Sequence, residues 1–118
     1  MNFGERLRQL RLDRKINQRD LAAQVGIDFT YLSKIENGRM APPAAGTIAR
    51  LAHALDMHAD ELLLLAHKVP GDIGPMITRS PALPAFLRSI SDLDEAEIQE
   101  LSSYAQKMRA RRKDGPHR

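Results

Sequence analysis

Between Asn17 and Gly38 the stretch NQRDLAAQVGIDFTYLSKIENG places apolar residues at Leu21, Val25, Ile27, Leu32 and Ile35 and interrupts them with a single glycine, Gly26. Their spacing predicts two short helices rather than strands. Asn17 is placed to cap the first, Gln18 to Gln24, which Gly26 ends. Asp28 is placed to cap the second, Phe29 to Glu36, which Asn37 and Gly38 end. Helices shorter than about ten residues do not hold alone in water, so these two must pack on each other and on their neighbours. Leu21 and Val25 on the first, Ile27 at the bend, and Leu32 and Ile35 on the second are spaced to meet. Ala22 keeps the crossing close, and Gly26 permits the positive φ of a short bend. Gln18, Thr30, Tyr31 and Lys34 are left for the outer face. Two helices joined in this way stand the second one proud of the surface, where it can enter a DNA major groove.

The surrounding sequence supplies the helices such a pair needs. FGERLRQLRLDRK repeats apolar residues at Phe3, Leu7 and Leu10, one buried face of a helix. After the loop RMAPPAAG, Pro43 and Thr47 open a fourth helix through Leu55. HADELLLLA supplies a fifth, capped at His58 or Ala59 and carrying Leu62, Leu63 and Leu65. No segment alternates with period two between turn residues, so no sheet is expected. A chain of 118 residues suits one small domain with an appendage. Aromatic residues make up 4% and Trp is absent, so the core must be built from aliphatic side chains, which favours helices.

Charge and composition narrow the function classes. Without cysteine there is neither a disulfide framework nor a thiolate zinc site. The amino-terminal residues are charged where a secretory signal would be apolar, and the apolar run LLLLA is far too short to span a bilayer, so a cytoplasmic protein without membrane contact is expected. The net charge is only +3, but Lys and Arg crowd the first forty residues and the run KMRARRKDGPHR, while DLDEAEIQE is acidic. Each basic run is either solvated helix surface or a contact for a polyanion. His53, His58 and His67 do not form H-E-x-x-H, Asp56 and Asp60 do not complete a ligand set, and the glycines form no nucleotide-binding loop. No enzyme activity, metal or cofactor is expected.

Residues 2 to 66 resemble the helix-turn-helix domain of the Cro/CI/Xre repressor family. The pattern Q..LA...G......S..E.G is matched by Gln18, Leu21, Ala22, Gly26, Ser33, Glu36 and Gly38, and IARLAHALDMHADELL is similar to the family's fourth and fifth helices. The resemblance implies an all-α fold, a five-helix lambda-repressor-like domain over residues 1–68, and double-stranded DNA as partner. It places Gln18 near a phosphate at the amino end of the second helix, where the helix dipole favours anions. It places Asp28, Phe29, Thr30, Tyr31 and Lys34 along the turns that reach base edges, and Asn37 and Arg39 near phosphate. Thr30 can meet a thymine methyl, and Lys34 can donate to guanine. Arg11 and Glu36 match a structural ion pair between the first helix and the end of the third. Many relatives carry Gln where this chain has Phe29, and a basic loop where it has MAPPAAG. Phe29 and Tyr31 are each either base contacts or packed residues at the helix start.

HKVPGDIGPMITRSP carries five Pro and Gly breakers and reads as a linker over residues 69–79, with one helical turn near Ile73 to Ile77. Residues 80–118 are expected to form a helical oligomerisation segment with a basic tail. Ser80 and Pro81 start a helix to Ile90 with Leu83, Phe86, Leu87 and Ile90 on one side, and Asp94 and Glu97 approximate a capping box for a last helix to about Arg112. Leu87, Ile90, Ile98, Leu101, Ala105 and Met108 form a narrow apolar seam suited to a partner helix. Two readings follow. The first is a transcriptional regulator, a repressor binding a palindromic or pseudopalindromic operator as a homodimer through this seam. The second is an antitoxin-type interaction module whose carboxyl-terminal segment holds a regulatory protein partner of unknown identity.

Overall fold

The computed structural model describes residues 1–114, with side chains through 112, so the last residues of the basic run ending at Arg118 lie outside the described residues. The described residues form helices α1 (Phe3–Asp13), α2 (Gln18–Val25), α3 (Phe29–Glu36), α4 (Ala45–Ala54), α5 (Asp60–Leu65), α6 (Ile73–Ile77), α7 (Ala82–Ser89) and α8 (Glu95–Asp114), and no strand. Two compact units result, Met1–Met76 and a second that begins at Ile77. Among the described residues no helix is long and apolar enough to cross a membrane.

Local chemistry sets most of these boundaries. Asn2 caps α1 by accepting from the Glu5 N–H at 2.8 Å, and its side-chain amide donates to the Glu5 carboxylate at 3.1 Å. Asn17 does the same for the Asp20 N–H of α2 at 2.8 Å, and Asp28 for the Thr30 N–H of α3 at 2.7 Å. At Gly26 the backbone turns left-handed, with φ +81°, and the N–H groups of Gly26 and Ile27 both donate to the Ala22 carbonyl. Gly38, also at φ +81°, closes α3. His58 Nδ1 accepts from the Asp60 N–H at 3.3 Å at the start of α5.

The expected start of α4 needs correction. Pro43 is buried ahead of the helix, Ala44 occupies the cap position without a side-chain bond, and Thr47 is already the third helical residue, where its hydroxyl accepts from Arg50 at 3.3 Å. Alanine carries no capping atom, so this boundary has no local signal and is set by packing.

In the first unit α2 packs on α3 and α4, while α1 packs on α3 and α5. Leu7, Leu21, Leu32, Ile35, Ile48, Leu51, Leu55 and Leu62 are fully buried, drawn from α1 to α5 and the residue that follows α4. Since α2 and α3 have eight residues each, this shared core, not helix propensity, holds them. Arg6 adds a surface tie from α1 to Glu61 on α5; its guanidinium holds that carboxyl below the usual carboxylate range by hydrogen bonding and charge. Residues 70–73 belong to the first unit and line a cleft of about 540 Å³ with Gly46 on α4 and Leu63 on α5. The stretch read as a linker, 69–79, is thus divided between the two units.

The second unit is differently built. Ser80 accepts from the Ala82 N–H at the start of α7, and Asp94 and Glu97 exchange reciprocal bonds of 2.8 and 3.0 Å at the start of α8, a complete capping box. No side chain between residues 77 and 112 is buried.

Candidate nucleic-acid interface

The placement of α3 begins at Gly4. This residue is buried in α1, and a Cβ added there would lie 2.3 Å from the Ile35 carbonyl oxygen and 2.9 Å from that of Glu36. The backbones of α1 and α3 therefore touch, with no room for a side chain between them. At the same crossing Glu36 accepts from Arg11 Nε at 2.7 Å and Arg11 Nη2 at 2.9 Å, a two-pronged ion pair with both residues about 95% removed from solvent. Arg11 Nη1 donates to the Ile16 carbonyl at 2.9 Å. Gln18 Nε2 adds a third donor to Glu36 at 3.0 Å. One network thus joins the end of α1, the start of α2 and the end of α3.

With Leu32 and Ile35 buried, the opposite side of α3 faces outward. Thr30 and Lys34, one helical turn apart, are exposed on it and share a face. Asp28 is exposed, but its carboxylate is engaged by the Thr30 N–H. Asn37 and Arg39 are exposed beyond the helix, where Asn37 Oδ1 accepts from the Arg39 N–H at 3.2 Å. Phe29 and Tyr31 are half-buried and pack against the core, so each has an apolar anchorage. Gln18 is half-buried, and its bond to Glu36 uses one of its two amide hydrogens, leaving the other available.

Two features escaped the sequence reading. One is Gly4, for which a glycine inside an otherwise helical pattern was the available signal. The other is Arg19, whose guanidinium lies 4.4 Å from the centroid of the Phe29 ring. Nothing in the spacing of residues 19 and 29 announces that contact, because it is made across the bend. On the second unit, Leu87, Ile98, Ala105 and Met108 are exposed and Ile90 and Leu101 are half-buried.

Comparison with known proteins bears on the first unit. The family model described as a helix-turn-helix domain matches residues 4–68. The HTH-type transcriptional repressor RghR of Bacillus subtilis (strain 168) is 40% identical over 65 residues, which are 55% of this chain and 48% of that protein, so the match spans about half the length of this relative. Among solved structures, the clp gene regulator ClgR from Corynebacterium glutamicum is 25% identical with a TM-score of 0.50, covering 74% of this chain and 88% of that one. A SinR–SinI protein complex has a TM-score of 0.51 at 19% identity, covering 92% of this chain and 98% of the other, a likeness of fold alone. With more than half of its residues matched by the family model, the chain belongs to the helix-turn-helix domain family.

Proposed function

We propose that the protein is a cytoplasmic transcriptional regulator, a repressor, that binds duplex DNA with α3 in the major groove and acts by binding rather than catalysis. The observation that carries this reading is the two-sided character of α3: Leu32 and Ile35 clamp it in the core while Thr30 and Lys34 stand free on one outer face. Lys34 donates to guanine O6 and N7, and Thr30 meets a neighbouring base or a thymine methyl. Arg39, Asn37 and the free amide hydrogen of Gln18 serve the phosphates that set the register. The name of the matched repressor supports the regulatory role. The test is selection of preferred sites from random duplex DNA, followed by Lys34→Ala. That variant should lose about 1–3 kcal/mol on the selected site and relax preference at one base pair. Unchanged affinity and preference would remove α3 as the reader.

A dimer on a palindromic or pseudopalindromic operator extends the proposal. One recognition helix offers few base contacts, too few for specific affinity against genomic competitors. The second unit carries a surface for pairing: none of its described side chains is buried, and Phe86, Leu87, Ile98, Tyr104 and Met108 are 40–59% exposed. Two helices that bury so little cannot offset their own chain entropy, so the apolar seam calls for a partner. The twenty residues of α8 span about 30 Å, enough for a self-complementary contact about a two-fold axis. Half-sites one DNA turn apart would take two copies of α3 about 34 Å apart. Leu101→Asp in the full chain should convert a dimer to a monomer in sedimentation and weaken operator binding; a variant that still sediments as a dimer would place the self-association surface elsewhere.

A further inference from the structure

Beside α3 the first unit has an open cleft of about 560 Å³ lined by Arg8, Arg11, Asn17, Gln18, Arg19 and Phe29. Three of the six are arginines and none is acidic, unlike the neighbouring groove, which contains Glu5, Asp13 and Glu36. Arg11 is neutralised by Glu36 and also donates to the Ile16 carbonyl. Arg8 and Arg19 are exposed, and among the described residues neither makes a hydrogen bond or salt bridge. Arg19 nonetheless has a contact, because its guanidinium lies over the Phe29 ring, 4.4 Å from its centroid. Phe29 is itself packed against the core, so the platform is fixed. A guanidinium held over a ring face leaves its N–H groups free for a charge-assisted contact with a tetrahedral oxyanion.

We propose that Arg19, positioned by Phe29, and Arg8 across the same cleft bind a phosphodiester of the DNA backbone next to the groove that α3 enters. The inference rests on the DNA-binding reading above and adds a site to it. The ligand is a phosphate of the backbone rather than a base because Arg19 is on α2, the helix that crosses the backbone when its successor lies in the groove. Two unpaired like charges share one cleft, and an anion between them removes their repulsion. The stack restricts Arg19 before DNA arrives, so less side-chain freedom is lost on binding. Phe29 in this chain is then a platform for a phosphate-binding arginine as well as a packed residue.

The experiment is a salt series of DNA affinity on the full chain, by fluorescence anisotropy, with the selected site and an unrelated duplex. At about 50 mM salt Arg19→Ala should bind both duplexes about tenfold more weakly, as expected for one lost charge-assisted contact. The slope of log affinity against log salt should flatten by about 0.9, so the deficit shrinks to about threefold at about 200 mM. Repeated site selection should return the parent's base preference. Arg8→Ala should flatten the slope in the same way. Phe29→Leu keeps an apolar side chain but removes the ring and should lose part of the slope, while Phe29→Tyr should keep it, which a purely structural Phe29 would not produce. An unchanged slope in Arg19→Ala, or a changed preference at one base pair with the parent's slope, overturns the assignment. A parent that binds neither duplex at about 50 mM salt would sink the DNA-binding reading itself and this site with it, and is distinguishable because the parent then has no salt slope to change.

Discussion

Replacing Gly4 by alanine is expected to destabilise the first unit by about 2–3 kcal/mol and to lower its melting temperature by about 10–20 °C. Two effects compete. Helix propensity alone favours alanine over glycine in a helix interior by about 1 kcal/mol, so a reading of α1 in isolation predicts stabilisation. Against it stands the new methyl group at 2.3 Å from the Ile35 carbonyl oxygen and 2.9 Å from that of Glu36. Overpacking of this kind costs about 1–3 kcal/mol, and more where the neighbours cannot rotate aside. Both neighbours are backbone atoms at the end of α3, so relief requires moving a whole helix. The clash wins. Because α3 carries Thr30 and Lys34, whatever fraction remains folded should also bind DNA more weakly. A melting curve at or above that of the parent would show that α1 and α3 do not touch as described.

Glu36→Ala is expected to cost about 3–5 kcal/mol, read by chemical denaturation. The glutamate is 5% exposed and receives three donors, so its removal leaves the Arg11 guanidinium, 6% exposed, with the Ile16 carbonyl as its remaining partner. The cost comes from stranding a buried charge rather than from the worth of the pair. Replacing both partners, Arg11→Met with Glu36→Leu, should therefore recover most of the loss, since a packed apolar pair avoids desolvating either charge. The double variant should not recover full DNA affinity, because Gln18 loses the carboxylate that orients its amide. A double variant as unstable as Glu36→Ala would mean that the ion pair contributes to stability beyond its own desolvation.

The sequence by itself determined the helices whose signals are local. The bounds of α3 follow from Asp28 before it and Asn37-Gly38 after it, the bend from a glycine able to take φ +81°, and the capping box of α8 from Asp94 and Glu97. The buried faces were legible too, since residues three and four apart must share a side of a helix, and Leu7, Leu21, Leu32 and Ile35 all lie in the core. The start of α4 was not legible: Ala44 offers no capping atom, and the boundary rests on how Pro43 packs ahead of the helix. Only the tertiary structure decided which side chains meet across elements. Gln18 turns to Glu36, Arg19 lies on Phe29, and Gly4 sits under the Ile35 carbonyl because α1, α2 and α3 cross at particular angles, and periodicity says which face a residue is on but not what lies opposite it.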